Sequence, residues 1–141
     1  MPPLPLMAGA FSQYTQQKMS WYMWFFQTPL ANLFLTPENF GLIENLWRDW
    51  SPNYDGTEDV AHVAAALGTA ENVQAALGYY RAMFAAPSDS PHYADERAAD
   101  NTPRVPVRYI HGSEDGCISA DLINNPEAFL APGSDFPLVE G

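Results

Sequence analysis

Residues 1–86 carry apolar side chains at helical spacing, separated by residues that favour helix ends. A run rich in Gln, Met and aromatic residues predicts a helix from about Tyr14 to Phe26. Thr36 is followed by a proline and a glutamate, which is typical of a helix start. The apolar positions behind it, at spacings of three and four, predict a helix that ends near Trp50.

Two further helices are predicted from similar start and stop residues. Thr57 and the two acids behind it open one helix, and Gly68 ends it. Thr69 caps the last helix, which runs to about Phe84. One face of that helix is apolar, formed by Val73, Ala76, Leu77, Tyr80 and Phe84. Residues 1–86 are therefore predicted to be four to five short helices packed together.

The pattern changes after a polar, proline-bearing linker at 87–104. VPVRYIHG at 105–112 is rich in β-branched and aromatic residues and stops at a glycine, which predicts a strand. Helical segments are predicted from about Ser119 to Leu130, and DFPLVE at 135–140 predicts a last short strand. Two strands joined by such a crossover form a parallel βαβ unit. Parallel strands normally lie in larger, covered sheets, so this unit is predicted to be incomplete.

The charge of the chain excludes some partners. With 17 acidic and 6 basic residues, the formal net charge is −11. A nucleic-acid backbone or an anionic membrane surface would be repelled, so neither is expected as a partner. Hydrophobic residues make up 47% of the chain, which is enough material for a core.

The remaining composition favours a cytoplasmic protein without a cofactor. The N-terminal MPPLPLMAGAF has no basic residue before its apolar stretch, and no apolar run reaches the roughly 18–20 residues of a membrane span. Cys117 is the single cysteine, so no internal disulfide can form. His62, His92 and His111 lack the close spacing of metal ligands, so no metal site is expected.

Four segments together resemble a known family. SWYMWFFQ at 20–27, LWRDWSPNYD at 46–55 and AALGYYRAMF at 75–84 resemble the lid of epoxide-hydrolase-like α/β-hydrolases. VPVRYIHGSEDGC at 105–117 resembles the strand and turn that carry the catalytic acid of that family. The resemblance lies in the order and spacing of these segments, and it covers the chain from about Pro2 to Gly141. It implies an α/β-hydrolase fragment, in which a helical lid precedes an incomplete parallel βαβ unit.

The resemblance also implies a chemistry and a set of residues. In such enzymes an aspartate opens an epoxide to give a covalent ester, and a histidine oriented by a second acid activates the water that hydrolyses it. Two lid tyrosines donate hydrogen bonds to the epoxide oxygen. Tyr22 and Tyr80 match these tyrosines, and Asp115 matches the orienting acid, spaced as GxxD from Gly112. The implied substrate is small and apolar, such as an epoxide.

Without the resemblance, the same three residues have simpler interpretations. Tyr22 and Tyr80 fit the core of a helical unit, where their hydroxyls would find other partners. Tyr79, although adjacent to Tyr80, is predicted to point about 100° away on the helix. Asp115 fits an ordinary turn, since SEDG is favourable turn chemistry.

The chain departs from the family in its nucleophile. No GxDxG or GxSxG elbow occurs, and the catalytic histidine of the family would lie beyond Gly141. We therefore expect the isolated chain to be inactive. Two alternatives stay open, a dehalogenase or esterase on the same scaffold and a non-enzymatic helical binding module. A dehalogenase would place an indole N–H, for example that of Trp24 or Trp47, in its pocket.

Overall fold

The computed structural model describes residues 9–85, 89–95, 103–122 and 129–140. Within these ranges the chain is mostly helical and contains a small sheet of two parallel strands. Contacts between residues divide it into two compact units, one of Met19–Ala86 and one of Met1–Lys18 with Pro87–Gly141. The helical unit, as we call Met19–Ala86, therefore does not include the first residues of the chain, which the sequence analysis had grouped with the helices.

Six α-helices have both ends within the described ranges. They are α1 Tyr14–Met19, α2 Trp21–Phe25, α3 Ala31–Phe34, α4 Gly41–Trp50, α5 Thr57–Ala66 and α6 Ala70–Met83. The prediction of short helices in the first part of the chain is confirmed, but the single run predicted up to Phe26 is two helices. The break falls at Ser20, which is buried and whose ψ of 13° leaves the helical region.

The predicted helix start at Thr36 is wrong. Thr36 N–H donates to the Asn39 carbonyl at 3.5 Å and Asn39 N–H donates to the Thr36 carbonyl at 3.0 Å, so the two residues close a tight turn. The helix α4 begins only at Gly41, whose N–H donates to Asn39 Oδ1 at 3.3 Å. Pro37 therefore lies in the turn and not in the first turn of the helix.

The other two predicted starts are confirmed. Helix α5 begins at Thr57, whose N–H and Oγ1 both donate to Asp55 Oδ1, at 3.1 Å and 2.6 Å. Helix α6 is capped by Thr69, whose Oγ1 accepts a hydrogen bond from Asn72 N–H at 3.2 Å. Its end at Met83 lies one residue before the predicted one.

The core of the helical unit is formed by side chains from four of its helices and the segments between them. The buried residues are Tyr22, Met23, Phe26, Ala31, Leu35, Leu46, Val73 and Leu77. Of the predicted face of α6, Val73 and Leu77 are buried, whereas Phe84 is exposed beyond the end of the helix.

The two strands of the second unit are β1 His111–Gly112 and β2 Leu138–Val139, and they are parallel as predicted. His111 lies opposite Leu138 and Gly112 opposite Val139. Both strands are shorter than the predicted segments at 105–112 and 135–140. Hydrogen bonds nevertheless continue beyond them, since the Tyr109 N–H donates to the Asp135 carbonyl at 3.0 Å.

Backbone pairing with the second strand begins at Val107, whose carbonyl accepts from the Asp135 N–H at 3.1 Å. Pro106 has no N–H to donate, and the N–H of Val107 donates to the side chain of Ser134 at 3.0 Å. In the connection between the strands, Ala120–Leu122 forms a turn of 3₁₀ helix, while the predicted helical segment at 123–128 lies outside the described residues. In the predicted linker, Pro91–Tyr93 forms another such turn.

Candidate functional site

The two predicted tyrosines of the helical unit lie side by side. Tyr22 in α2 and Tyr80 in α6 have ring centroids 5.9 Å apart and ring planes at 83°. Phe26 contacts both rings, with centroids 5.7 Å from Tyr22 and 5.0 Å from Tyr80. Tyr22 is only 5% exposed, and Tyr80 is half-buried. Residues 58 positions apart in the chain are thus brought together in one aromatic cluster.

Two polar side chains hold these helices in register. Gln27 Nε2 donates to the carbonyls of Met23 and Tyr80, both at 3.0 Å. Arg81 Nε, on α6, donates to the Phe26 carbonyl at 3.0 Å. Two of these bonds, from Gln27 to the Tyr80 carbonyl and from Arg81 to the Phe26 carbonyl, connect α6 with the segment that follows α2 and so help to set the separation of the two tyrosines. Neither residue was predicted from the sequence, although each is a lone polar position beside aromatic residues.

The neighbouring Tyr79 points elsewhere, as predicted. It is 67% exposed, whereas Tyr80 packs into the cluster. Tyr79 therefore serves as a natural comparison for any role assigned to Tyr80.

An apolar cavity of about 200 Å³ lies next to this cluster. Its lining is Phe26, Leu35, Ile43, Leu46, Trp47, Trp50, Val63, Leu67, Ala76, Leu77 and Tyr80. No charged side chain belongs to this lining, and Tyr80 and the two tryptophans are its only residues with polar side-chain atoms. Such a cavity suits a small apolar molecule.

One residue of the lining, Trp50, carries a buried hydrogen-bond donor, its indole Nε1, without a partner among the described residues. The Trp50 ring packs edge-on against Tyr22, with centroids 5.0 Å apart. An indole nitrogen can only donate, so a partner for Trp50 must supply an acceptor atom.

The two tryptophans singled out from the sequence behave differently. Trp24 is 46% exposed and packs against Phe84 at 4.8 Å. Trp47 lines the apolar cavity and also a larger groove of about 610 Å³. Trp50 was not predicted from the sequence, because no local pattern shows which indole nitrogen lacks an acceptor.

The larger groove carries exposed charges. Its lining includes Glu38, Glu44, Arg48 and Asp55. Near it, the Tyr54 hydroxyl donates to Asp59 Oδ2 at 2.8 Å, and this hydrogen bond to a carboxylate raises the pKa of Tyr54. These contacts describe a solvated polar surface.

The third predicted residue, Asp115, lies in the other unit, in the turn after β1. Its Oδ1 accepts hydrogen bonds from Cys117 N–H at 2.7 Å and from Ile118 N–H at 2.9 Å. Its Oδ2 lies 3.8 Å from His111 Nε2, and the side chain is 30% exposed. The carboxylate is therefore held in one orientation by the turn, with its second oxygen on the side of the imidazole.

His111 is buried and paired at both ring nitrogens. Its Nε2 lies 3.0 Å from the Ile118 carbonyl and its Nδ1 lies 3.2 Å from the Tyr109 hydroxyl. Because a carbonyl can only accept, Nε2 carries the hydrogen, and in the neutral ring Nδ1 accepts from the phenol. This arrangement braces the turn. Burial, with a smaller contribution from the charge of Asp115, raises the pKa of Tyr109.

The same turn is tied to the start of the chain by Gln16. This side chain is fully buried; its Nε2 donates to the Cys117 carbonyl at 2.8 Å, and its Oε1 accepts from Ser119 N–H at 3.1 Å. Gln16 thus completes the backbone hydrogen bonding of the loop beside Asp115. This role of Gln16 was not predicted, because an amide in a polar helix shows no local sign of a partner 101 residues away.

The two remaining histidines, His62 and His92, are exposed. In the part of the chain that the structure describes, no three His, Cys, Asp or Glu side chains are grouped so that they could hold a metal ion. None of the described helices combines the length and the apolar character needed to cross a membrane.

Comparison of the chain with protein-family models, with curated proteins and with solved structures finds no match in any of the three.

Proposed function

We propose that this chain is the lid and acid-bearing part of an epoxide-hydrolase-like α/β-hydrolase that acts on a small apolar substrate such as an epoxide. One observation carries the proposal. Tyr22 and Tyr80, from segments that resemble the family lid, meet with ring centroids 5.9 Å apart, and Tyr80 lines an apolar cavity. A pair of phenols beside an apolar space is what activation of an epoxide oxygen requires.

The chemistry follows from the charge that ring opening creates. Attack on an epoxide carbon breaks a carbon–oxygen bond and leaves a strongly basic alkoxide. A phenol, with a pKa near 10, donates a hydrogen bond to that oxygen and can transfer its proton to it. In apolar surroundings such as those of Tyr22 and Tyr80, this interaction is stronger than in water.

Asp115 suits the orienting role in the proposal. One oxygen accepts two backbone N–H groups, and the other has acceptor capacity left for the N–H of an imidazole. His111 does not suit the role of base, since both of its ring nitrogens are engaged. The nucleophile and the base would come from outside the printed sequence, which holds no GxDxG elbow.

Exposed apolar residues support a place in a larger sheet. Beside β1, Ile110 is 62% exposed, and in β2 Leu138 is 56% and Val139 is 48% exposed. A parallel pair with apolar side chains left in water is typical of strands that are covered in the complete sheet.

A dehalogenase is the second candidate, and Trp50 is the observation that favours it. A halide leaving group needs N–H donors, and the indole of Trp50, which lines the cavity, is a donor of this type, although its nitrogen is buried. However, no cationic side chain lines the cavity, and an anion there would lose its hydration for few polar contacts. The neutral oxygen of an epoxide fits this cavity better.

The proposal is tested by replacing the lid of a complete epoxide hydrolase with residues 19–86 of this chain. The chimera is expected to hydrolyse styrene oxide. Tyr22→Phe and Tyr80→Phe are each expected to lower kcat by about 100-fold or more, because each removes a proton donor. The exposed Tyr79 is the matched control, and Tyr79→Phe is expected to leave kcat unchanged.

The kcat values are compared only among chimeras whose circular dichroism spectrum matches that of the starting enzyme, which shows that they are folded. Full activity in a folded Tyr22→Phe, Tyr80→Phe double variant would refute the epoxide assignment.

A further inference from the structure

We propose that the larger groove of the helical unit binds a small organic cation with an aromatic or aliphatic body. The groove is formed by α4, α5 and the segments that precede these two helices. The site goes beyond the proposed hydrolase function, because its lining contains neither of the two predicted tyrosines. The proposal rests on the size of the groove, on its aromatic surface and on its carboxylates.

The size of the groove suits a small molecule. Binding sites for such ligands measure about 300–1,000 Å³. The groove measures about 610 Å³, which is enough for one or two rings with a charged substituent. A concave site of this volume favours a small molecule over a peptide, which would need an extended surface.

The groove offers apolar surface that a ligand can cover. Phe40 and Trp47 line it and are both partly exposed. The edge of the Trp47 indole lies against Gly56, which is buried and leaves no room for a side chain of its own. The indole is therefore held in place before a ligand arrives, and covering the two rings would stabilise a bound apolar body.

The charges of the lining favour a cation. Three acids, Glu38, Glu44 and Asp55, and one base, Arg48, line the groove, which gives it a formal net charge of −2. The N-terminus of α5 would attract an anion, but the Asp55 carboxylate already accepts the N–H and Oγ1 hydrogen bonds of Thr57 there. An anion would thus meet like charges, whereas a cation would meet opposite ones.

Two of these carboxylates are accessible and have no cationic partner. Glu44 and Arg48 are four residues apart on α4, the usual spacing of a helical ion pair. Arg48 Nη1 instead donates to Asn45 Oδ1 at 3.2 Å. Among the described residues neither Glu38 nor Glu44 forms an ion pair, and both side chains are exposed. A cation in the groove can therefore reach and pair with them.

Two probes of similar shape and opposite charge test the proposal on the full chain. Phenyltrimethylammonium and benzenesulfonate each carry a tetrahedral charged group on one ring. Their binding is measured by nuclear magnetic resonance titration of the indole N–H signals, of which the chain has four. The Trp47 signal is identified by its loss in Trp47→Phe.

The cation is expected to shift the Trp47 signal with a dissociation constant on the order of 1 mM, the range for a ligand of about ten non-hydrogen atoms in an open site. Benzenesulfonate is expected to leave that signal in place.

Two variants at exposed positions are expected to change the affinity in opposite directions. Glu44→Gln removes a negative charge and is expected to weaken phenyltrimethylammonium by about two- to fivefold, the range of an exposed ion pair. Arg48→Gln removes the positive charge and is expected to strengthen it by a similar factor. Glu71→Gln is the matched control, because Glu71 is exposed in α6 and does not line the groove, and it is expected to leave the affinity unchanged.

The proposal is overturned if phenyltrimethylammonium does not move the Trp47 signal, if benzenesulfonate moves it equally, or if Glu71→Gln weakens the cation as much as Glu44→Gln does. Binding of an oligolysine peptide without binding of phenyltrimethylammonium would overturn it too, since the groove would then be a peptide-docking surface. None of these outcomes depends on catalysis, so failure here is distinct from failure of the tyrosine variants in the chimera.

Discussion

At the scale of single residues, two polar side chains connect segments that the sequence keeps far apart. Gln16 pairs with the backbone at Cys117 and Ser119, and Gln27 pairs with the backbone at Tyr80. An amide suits these places because it donates and accepts at once, so it can satisfy a carbonyl and an N–H of the same loop. Their loss would leave backbone groups unpaired inside the protein.

The first prediction concerns Gln16. Gln16→Leu is expected to lower the free energy of unfolding by about 2 kcal/mol or more, because buried groups at Cys117 and Ser119 lose their partner. The measurement is urea unfolding. Gln17→Leu is the control. The exposed side chain of Gln17 donates a hydrogen bond to the Phe11 carbonyl at 3.1 Å, and its loss is expected to change the free energy of unfolding by no more than about 0.5 kcal/mol. Equal losses in the two variants would contradict the role of Gln16.

The second prediction concerns the cap of α6. Thr69→Ala is expected to cost about 1 kcal/mol of unfolding free energy, because the N–H of Asn72 loses its acceptor. Thr69→Ser keeps the hydroxyl and is expected to retain most of the stability. Thermal unfolding followed by circular dichroism measures both, and an alanine variant as stable as the serine variant would speak against the cap.

At the scale of elements, two glycines differ in the space around them: Gly56 leaves no room for a side chain, whereas Gly78 does. A side chain at Gly56 would overlap the indole of Trp47, whose Nε1 and Cδ1 are its nearest neighbours. A side chain at Gly78, inside α6, would meet no atom within 4 Å. The same substitution therefore has opposite expected effects in the two elements.

The third prediction is this difference in sign. Gly56→Ala is expected to destabilise the protein by about 1–3 kcal/mol, since Trp47 must move from its packed place. Gly78→Ala is expected to stabilise it by about 0.5–1 kcal/mol, because alanine favours a helix interior. Unfolding midpoints in urea measure both. A neutral Gly56→Ala would show that Trp47 is not confined.

The parallel pair of strands is joined at one end by an ion pair. Arg108 Nη2 lies 2.6 Å from Asp135 Oδ2, and Arg108 Nε also donates to both carboxylate oxygens. The hydrogen bonds from Arg108 lower the pKa of Asp135 below its ordinary value. Both side chains are exposed, so the pair is screened by salt.

The fourth prediction is the resulting pH dependence. Because the pKa of Asp135 is lower in the folded protein, the stability from this pair is complete above the unfolded pKa of about 3.9 and is lost as the pH falls through the folded pKa. Asp135→Asn is expected to reduce the loss of thermal stability between about pH 5 and pH 2. The pKa of Asp55 is also lowered, by its bonds to Thr57, so part of the acid loss is expected to remain. An unchanged pH profile would contradict the prediction.

At the scale of the whole molecule, the candidate machinery is divided between two units. Tyr22 and Tyr80 belong to the helical unit, and Asp115 belongs to the unit that contains the strands. The printed sequence contains no GxDxG or GxSxG elbow. In the proposed mechanism the two tyrosines alone would not open an epoxide, because ring opening needs the nucleophile.

The fifth prediction is that the chain alone does not hydrolyse styrene oxide above the uncatalysed rate. Formation of the diol, followed by chromatography, measures this. Turnover that disappears in Asp115→Asn would contradict the prediction and would place the complete machinery within these residues.

Local chemistry made the helices and the strand direction predictable. The cap at Thr69 and the start at Thr57 depend on residues within three positions, and both predictions are confirmed. Thr36 carries the same kind of signal and fails, because its backbone pairs with Asn39 in a tight turn. The turn from Thr36 to Asn39 is as local as the cap at Thr69, so the short-range pattern allows both outcomes.

The candidate sites depend on distance in space, which no local pattern contains. Family resemblance pointed to Tyr22 and Tyr80, but their centroid separation of 5.9 Å results from the packing of α2 on α6. The apolar cavity and the unpaired Trp50 nitrogen exist only where several helices enclose a space and supply no acceptor. A sequence gives donors and acceptors in chain order, whereas folding decides which of them meet and which stay unpaired.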